Sequence, residues 1–153
     1  MIADDGDIVR GLGFVSLYSA WVEEDIDDLL WLMSPIKSFG DKQQRQPVNQ
    51  KLNNAIKLVR SLNSLELDGL SDVLESALKL FEKRNEFIHG RIYAGHDRID
   101  YLQSGRPNIP TRSITSAELY KLANEFWEFR SNLIRPQYFR LPRAIEAFAK
   151  GSS

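Results

Sequence analysis

The chain has 153 residues, with 20 Lys and Arg against 21 Asp and Glu, two His and no Cys, and 42% of its residues are hydrophobic and 27% charged. That length suits one domain around one core, the mixture is globular rather than disordered, and no apolar run approaches the roughly 18 residues of a membrane span. Without Cys there is no disulfide framework, thiolate nucleophile or thiolate zinc site, and His89 and His96 alone cannot build a His-rich metal centre. Charge is unevenly spread: residues 1–50 carry 4 basic and 9 acidic groups, residues 51–100 carry 8 of each, and residues 101–153 carry 8 basic and 4 acidic. An anionic ligand is expected to meet the later part of the chain.

Met1 to Asp5 has neither a basic n-region nor an apolar h-region, so a cytoplasmic location is expected. From Asp7 to Met33 the positions Ile8, Leu12, Val15, Tyr18, Val22, Ile26, Leu29 and Met33 advance by threes and fours, the pattern of one face of a long amphipathic helix. Asp4 or Asp5 is expected to cap it, and Ser34-Pro35 to end it. The acidic run from Glu23 to Asp28 leaves this stripe uninterrupted and is expected to lie mostly on the solvent side. The polar, aperiodic stretch from Ser38 to Pro47 predicts a mobile loop.

A second helix is predicted from about Val48 to Leu62, with Leu52, Ala55, Ile56, Val59 and Leu62 or Leu58 on its apolar side. A third runs from Leu70 or Ser71 to about Ile88, its inward positions Leu70, Val73, Leu74, Ala77, Leu78 and Phe81, with Gly90 as its stop. Between Arg91 and Gln103 the pair Ile92-Tyr93, the turn-like Ala94 to Asp97 and the segment Ile99-Asp100-Tyr101-Leu102 predict a short hairpin or extended excursion, and Ser104 to Arg112 is read as loop. Thr115-x-x-Glu118 has the form of a capping box and opens a fourth helix that continues to Ile134 before Pro136. A short last helix is expected from Pro142 or Arg143 to Ala149. The tail Gly151-Ser152-Ser153 reads as a cloning remnant. The expected fold is an all-α antiparallel bundle of four to five helices, a single helical domain over residues 1–150, with a small insertion after the third helix. Such bundles host many functions.

Continued past Phe81 by threes and fours, the third helix's stripe reaches Arg84 and Asn85 before Ile88, so polar side chains stand where the preceding turns place apolar ones. A local rule broken in this way marks a candidate functional position. His89 lies one turn beyond Asn85 on the same face. The set combines a permanent cation, an amide and an imidazole that titrates near neutrality. The structural alternative is that Lys83, Arg84, His89 and Arg91 are cations complementing the dipole at a helix C-terminus.

The run Arg84-Asn85-Glu86-Phe87-Ile88-His89-Gly90 resembles the Arg-x(4–6)-His motif of HEPN domains in its Arg-Asn-x-x-x-His form, placed as in that family near the end of a long helix. The resemblance implies a metal-independent endoribonuclease without a cofactor, of the kind found among toxins of toxin–antitoxin pairs, abortive-infection proteins and antiphage defence systems. It implies a homodimer that brings two motifs together, RNA as substrate, and a cognate antitoxin or regulatory protein as partner. Arg84 and His89 would be catalytic and Asn85 the supporting polar residue, with Lys83, Arg91 and Tyr93 as RNA contacts. In one HEPN branch a Tyr follows the His after one residue. Arg91 stands at that place here, so regulation through that Tyr is not expected.

Arg91, Tyr93, Arg98, Tyr101, Arg106 and Arg112 mix bases with aromatics as a single-strand binding surface does, a pattern that a hairpin packed on a helix also produces. His96 reads as a surface residue. Trp21, Trp31 and Trp127 have helical spacing and apolar neighbours and are expected in the core or an interface. The competing function is a noncatalytic helical module that binds a partner protein or nucleotide and uses Arg84 as a salt-bridge anchor.

Overall fold

The computed structural model describes residues 1–151, so Ser152 and Ser153 of the expected cloning remnant lie outside the described residues. In chain order the elements are α1 (Ile8–Leu32), a single turn α2 (Asp41–Gln44), α3 (Val48–Leu62), a 3-10 turn (Leu65–Leu67), α4 (Leu70–Ile88), β1 (Arg91–Ala94), β2 (Asp100–Gln103), β3 (Arg112–Ile114), α5 (Ser116–Glu128), a π-helical turn (Phe129–Ile134), a 3-10 turn (Arg135–Phe139) and α6 (Leu141–Gly151). The chain is mostly helical, and the expected all-α class is corrected by a three-stranded antiparallel sheet of order β1-β2-β3. No described helix is long and apolar enough to cross a membrane.

The residues pack as two compact units, one of Met1–Ala20 with Leu80–Trp127 and one of Trp21–Lys79 with the residues from Glu128 on. In the first, α1 starts after a run of Asp turns: Asp4 and Asp5 accept from the N–H groups of Gly6 and Asp7, and Asp7 itself accepts from Arg10 N–H at 3.1 Å. The cap is therefore Asp7, where Asp4 or Asp5 was expected. The Tyr120 hydroxyl donates to Asp5 at 2.6 Å, and burial together with that contact pushes the phenol up to about 12. Gly11 lets α1 lie against α5, since a Cβ there would meet Leu119 Cβ and the Tyr120 ring at 3.1 Å. The Asn124 amide clamps Ile2, accepting from its N–H at 2.9 Å and donating to its carbonyl at 3.1 Å. Phe81 and Phe126 meet edge to face, 5.1 Å between centroids.

The capping box forms as its spacing predicts: Glu118 Oε2 accepts from Thr115 N–H at 3.0 Å and Thr115 Oγ1 from Glu118 N–H at 3.4 Å. In the sheet Tyr93 is paired with Tyr101 and Arg91 with Gln103, while Leu102 pairs with both Ile92 and Arg112. Strand alternation puts Ile92, Leu102, Arg112 and Ile114 on one face, where Leu102 and Ile114 are buried, and Arg91, Tyr93, Tyr101, Gln103 and Ser113 on the other.

In the second unit the expected stripe of α3 is buried, and so is Lys51, at 1% exposure. Its Nζ reaches Asp27 at 2.7 Å, Glu23 at 3.0 Å and the Gln44 carbonyl at 3.2 Å. The acidic run was expected to face solvent, yet Asp25 and Asp27 are buried, Asp25 receiving Arg130 Nε at 2.9 Å while the Tyr138 hydroxyl donates to its backbone carbonyl. Burial raises both carboxyls above the ordinary Asp value, opposed by Arg130 at Asp25 and by Lys51 at Asp27. The stretch expected to be a mobile loop contains α2, whose Gln43 side chain accepts from Gly40 N–H at 3.0 Å, and buries Phe39 edge-on to Trp31. Trp31 is itself exposed rather than core, as is Trp127 of the first unit, and half-buried Trp21 carries the Arg130 guanidinium 5.3 Å above its ring.

Candidate functional site

The face of α4 that carries Leu70, Leu74, Ala77 and Phe81, all fully buried, runs on into half-buried Arg84 and Asn85. The break in the stripe is therefore also a break in burial. Ile88, next in the stripe's spacing, is exposed, and its neighbour Phe87 is buried instead. Arg84 is held on two sides. Its Nε and Nη2 donate to Asn85 Oδ1 at 3.2 and 2.8 Å, and its guanidinium carbon sits 4.8 Å from the centre of the Phe81 ring. A cation over an aromatic face, with its fork tied to an amide oxygen, keeps its orientation at low entropic cost. Asn85 thus acts on Arg84 through its side chain and on His89 through its backbone, its carbonyl accepting the His89 N–H at 3.0 Å.

His89 follows the last residue of α4, with its side chain exposed and its backbone fixed from both directions. On one side is the bond to Asn85. On the other, a Cβ built on Gly105 would lie 2.7 Å from the His89 carbonyl oxygen, so only glycine permits this approach of the β2–β3 loop. Gly90 has a similar role: a Cβ there would meet Leu102 Cδ1 at 2.6 Å and the Glu86 and Gln103 carbonyls at 2.7 and 3.0 Å. Its positive-φ helix stop is not observed, since the positive-φ glycines are Gly6 and Gly69. Gly90 is required by the closeness of β2, not by a left-handed turn.

The expected RNA contacts fall in two places. Lys83 lies over a groove of about 240 Å³, 3.6 Å from Glu125, with Phe87 and Leu122 among the lining residues. Arg91 and Tyr93 stand exposed on the outer face of the sheet. Arg112, part of the base-and-aromatic pattern, is taken out of it: on the inner face its Nε donates to Glu86 at 2.8 Å and its Nη1 to Glu118 at 2.9 Å, with its guanidinium over Phe87. His96, Arg98 and Arg106 are exposed in the connections. Gly105 was missed by sequence reasoning; its place in Ser-Gly-Arg between two polar segments looks like any loop glycine.

Among the described residues no group of three or more His, Asp or Glu is placed to hold a metal ion. No family model, curated protein or solved structure matches this chain.

Proposed function

We propose that the chain is an endoribonuclease of the HEPN type, an antiparallel helical bundle acting as a homodimer and cleaving RNA without a metal ion. The observation that carries the reading is the end of α4: a guanidinium oriented by Asn85 and Phe81, followed five residues on by an exposed imidazole on a pinned backbone. In this reaction the 2′-oxygen attacks the adjacent phosphorus, its proton passes to a base, the P–O5′ bond breaks, and the leaving 5′-oxygen takes up a proton. A neutral imidazole serves as the base and an imidazolium as the acid. His89 fills one of these roles in each protomer, and a two-fold interface supplies the second His89 for the other. Arg84 holds the phosphoryl oxygens as charge builds on them. Asn85 is the positioning residue for Arg84, and Lys83, Arg91 and Tyr93 hold flanking RNA. A cognate antitoxin would cover this end of α4.

The test is incubation of the chain and its His89→Ala variant with mixed RNA in excess EDTA, with analysis of product ends. The expected result is cleavage to 2′,3′-cyclic phosphate ends by the parent and a loss of about 10²- to 10⁴-fold in the variant. Equal activity of the two proteins removes His89 from the mechanism. Tight binding of a partner protein with no RNA turnover favours the noncatalytic module.

A further inference from the structure

The inner face of the sheet is accounted for by its buried Leu102 and Ile114 and by the ion pairs of Arg112. The outer face has no such use. Its strand residues are Arg91, Tyr93, Tyr101, Gln103 and Ser113, with Tyr93 directly opposite Tyr101 and Arg91 opposite Gln103. The single charge among them is Arg91, and none is aliphatic. Two phenol rings offer stacking faces to unpaired bases, and the guanidinium beside them offers a charge to a phosphate.

Tyr101 is held in place beforehand. Its hydroxyl donates to Asp97 Oδ2 at 2.6 Å, and a Cβ added to Gly95 would fall 2.6 Å from its Cε2, so the ring rests against the bare backbone of the turn. The turn is closed by Gly95 N–H donating to the Ile99 carbonyl at 2.7 Å. Tyr93, by contrast, is 48% exposed. A fixed ring beside an exposed one gives a stacking surface with little ordering left to do on binding. Tyr93 is four residues after His89, at most roughly 14 Å along extended backbone, which is the reach of a few nucleotides.

We infer that the outer face of the sheet is a stacking platform for unpaired bases of single-stranded RNA, with Tyr93 and Tyr101 holding bases and Arg91 a phosphate beside the strand that His89 cleaves. The inference rests on the ribonuclease reading for the identity of the nucleic acid, but its test does not depend on turnover. The full-length His89→Ala variant is titrated against a fluorescein-labelled 12-nucleotide single-stranded RNA and against the same RNA as a duplex, at low salt. Single-stranded RNA should bind more tightly than duplex. Tyr93→Ala and Tyr101→Ala should each weaken single-strand binding about 5- to 150-fold, the range of one lost base stack, while Tyr93→Phe and Tyr101→Phe stay within about twofold of the parent. Because Tyr101→Phe removes the Asp97 contact but keeps the ring, it separates stacking from damage to the turn. Equal binding by the alanine variants, equal loss with Phe and Ala, or no preference for single strands overturns the platform. Single-strand binding that follows this pattern, with the His89-containing parent inert in EDTA, keeps the platform and discards the nuclease. Cleavage that survives both alanine substitutions with unchanged affinity keeps the nuclease and discards the platform.

Discussion

In the unit built on Trp21–Lys79, two charged clusters are enclosed, Lys51 by Asp27, Glu23 and the Gln44 carbonyl and Asp25 by Arg130, while its Arg60–Glu75 and Lys150–Glu146 pairs stay at the surface. In the unit that contains Arg84, the ion pairs lie nearer the surface, with the Lys83 side chain 57% exposed beside Glu125 and Arg112 38% exposed between Glu86 and Glu118. Enclosed charges are costly to separate, because removing one partner strands the other away from water. Exposed pairs contribute little and exchange partners readily. The first arrangement fixes helices, and the second leaves cations that a polyanion can recruit.

The largest effect expected from breaking this contrast is at Lys51. Lys51→Ala strands the Asp27 carboxylate and should cost about 3–5 kcal/mol in urea unfolding, whereas Lys51→Met combined with Asp27→Leu should return most of that loss. If the double variant is as unstable as Lys51→Ala, the buried pair is not the cause. Next is Gly90→Ala, which forces a Cβ onto two backbone carbonyls and Leu102 and should cost about 1–3 kcal/mol, read as a lowered Tm.

A smaller effect concerns pH. Asp25 and Asp27 have carboxyls raised above the unfolded value, so on acidification the folded chain takes up these protons first. Their contribution to stability therefore grows as pH falls through the raised values towards the unfolded value near 4, and shrinks again as pH rises. Between pH 6 and 4 the parent should lose less stability than an Asp25→Asn, Asp27→Asn double variant, compared by urea midpoints. A steeper loss in the parent contradicts the raised direction. The smallest change is expected for Lys83→Ala, within about 0.5 kcal/mol in stability, accompanied by weaker RNA binding with a lower salt slope.

The long helices were legible because their apolar spacing is regular, and the capping box because Thr115 and Glu118 are three residues apart and answer one another directly. The acidic run was not. Periodicity locates the centre of a buried stripe but not its width, and around Ile26 the stripe widens to take in Asp25 and Asp27. Their partners Lys51 and Arg130 are 24 and 105 residues away, beyond any local pattern. β3 was hidden because three residues between Pro110 and a helix cap carry no alternation of their own. At the candidate site, the break at Arg84 and Asn85 was visible as a conflict within the stripe. The closeness of Gly105 to His89 was not, since it depends on where the β2–β3 loop returns.

The π turn after α5 bears on how this sequence can change length. Bonds that close from i to i+5 bring residues five apart onto one side, which is how Phe129 and Ile134 are both buried while Arg130, between them, reaches Asp25. Such a turn stores one residue more than an α-helical ladder of the same rise. Losing one residue between 129 and 134 would restore regular helix at the expense of the Phe129–Ile134 alignment, so in descendants of this chain a deletion here should be accompanied by a change at Asp25 or Arg130.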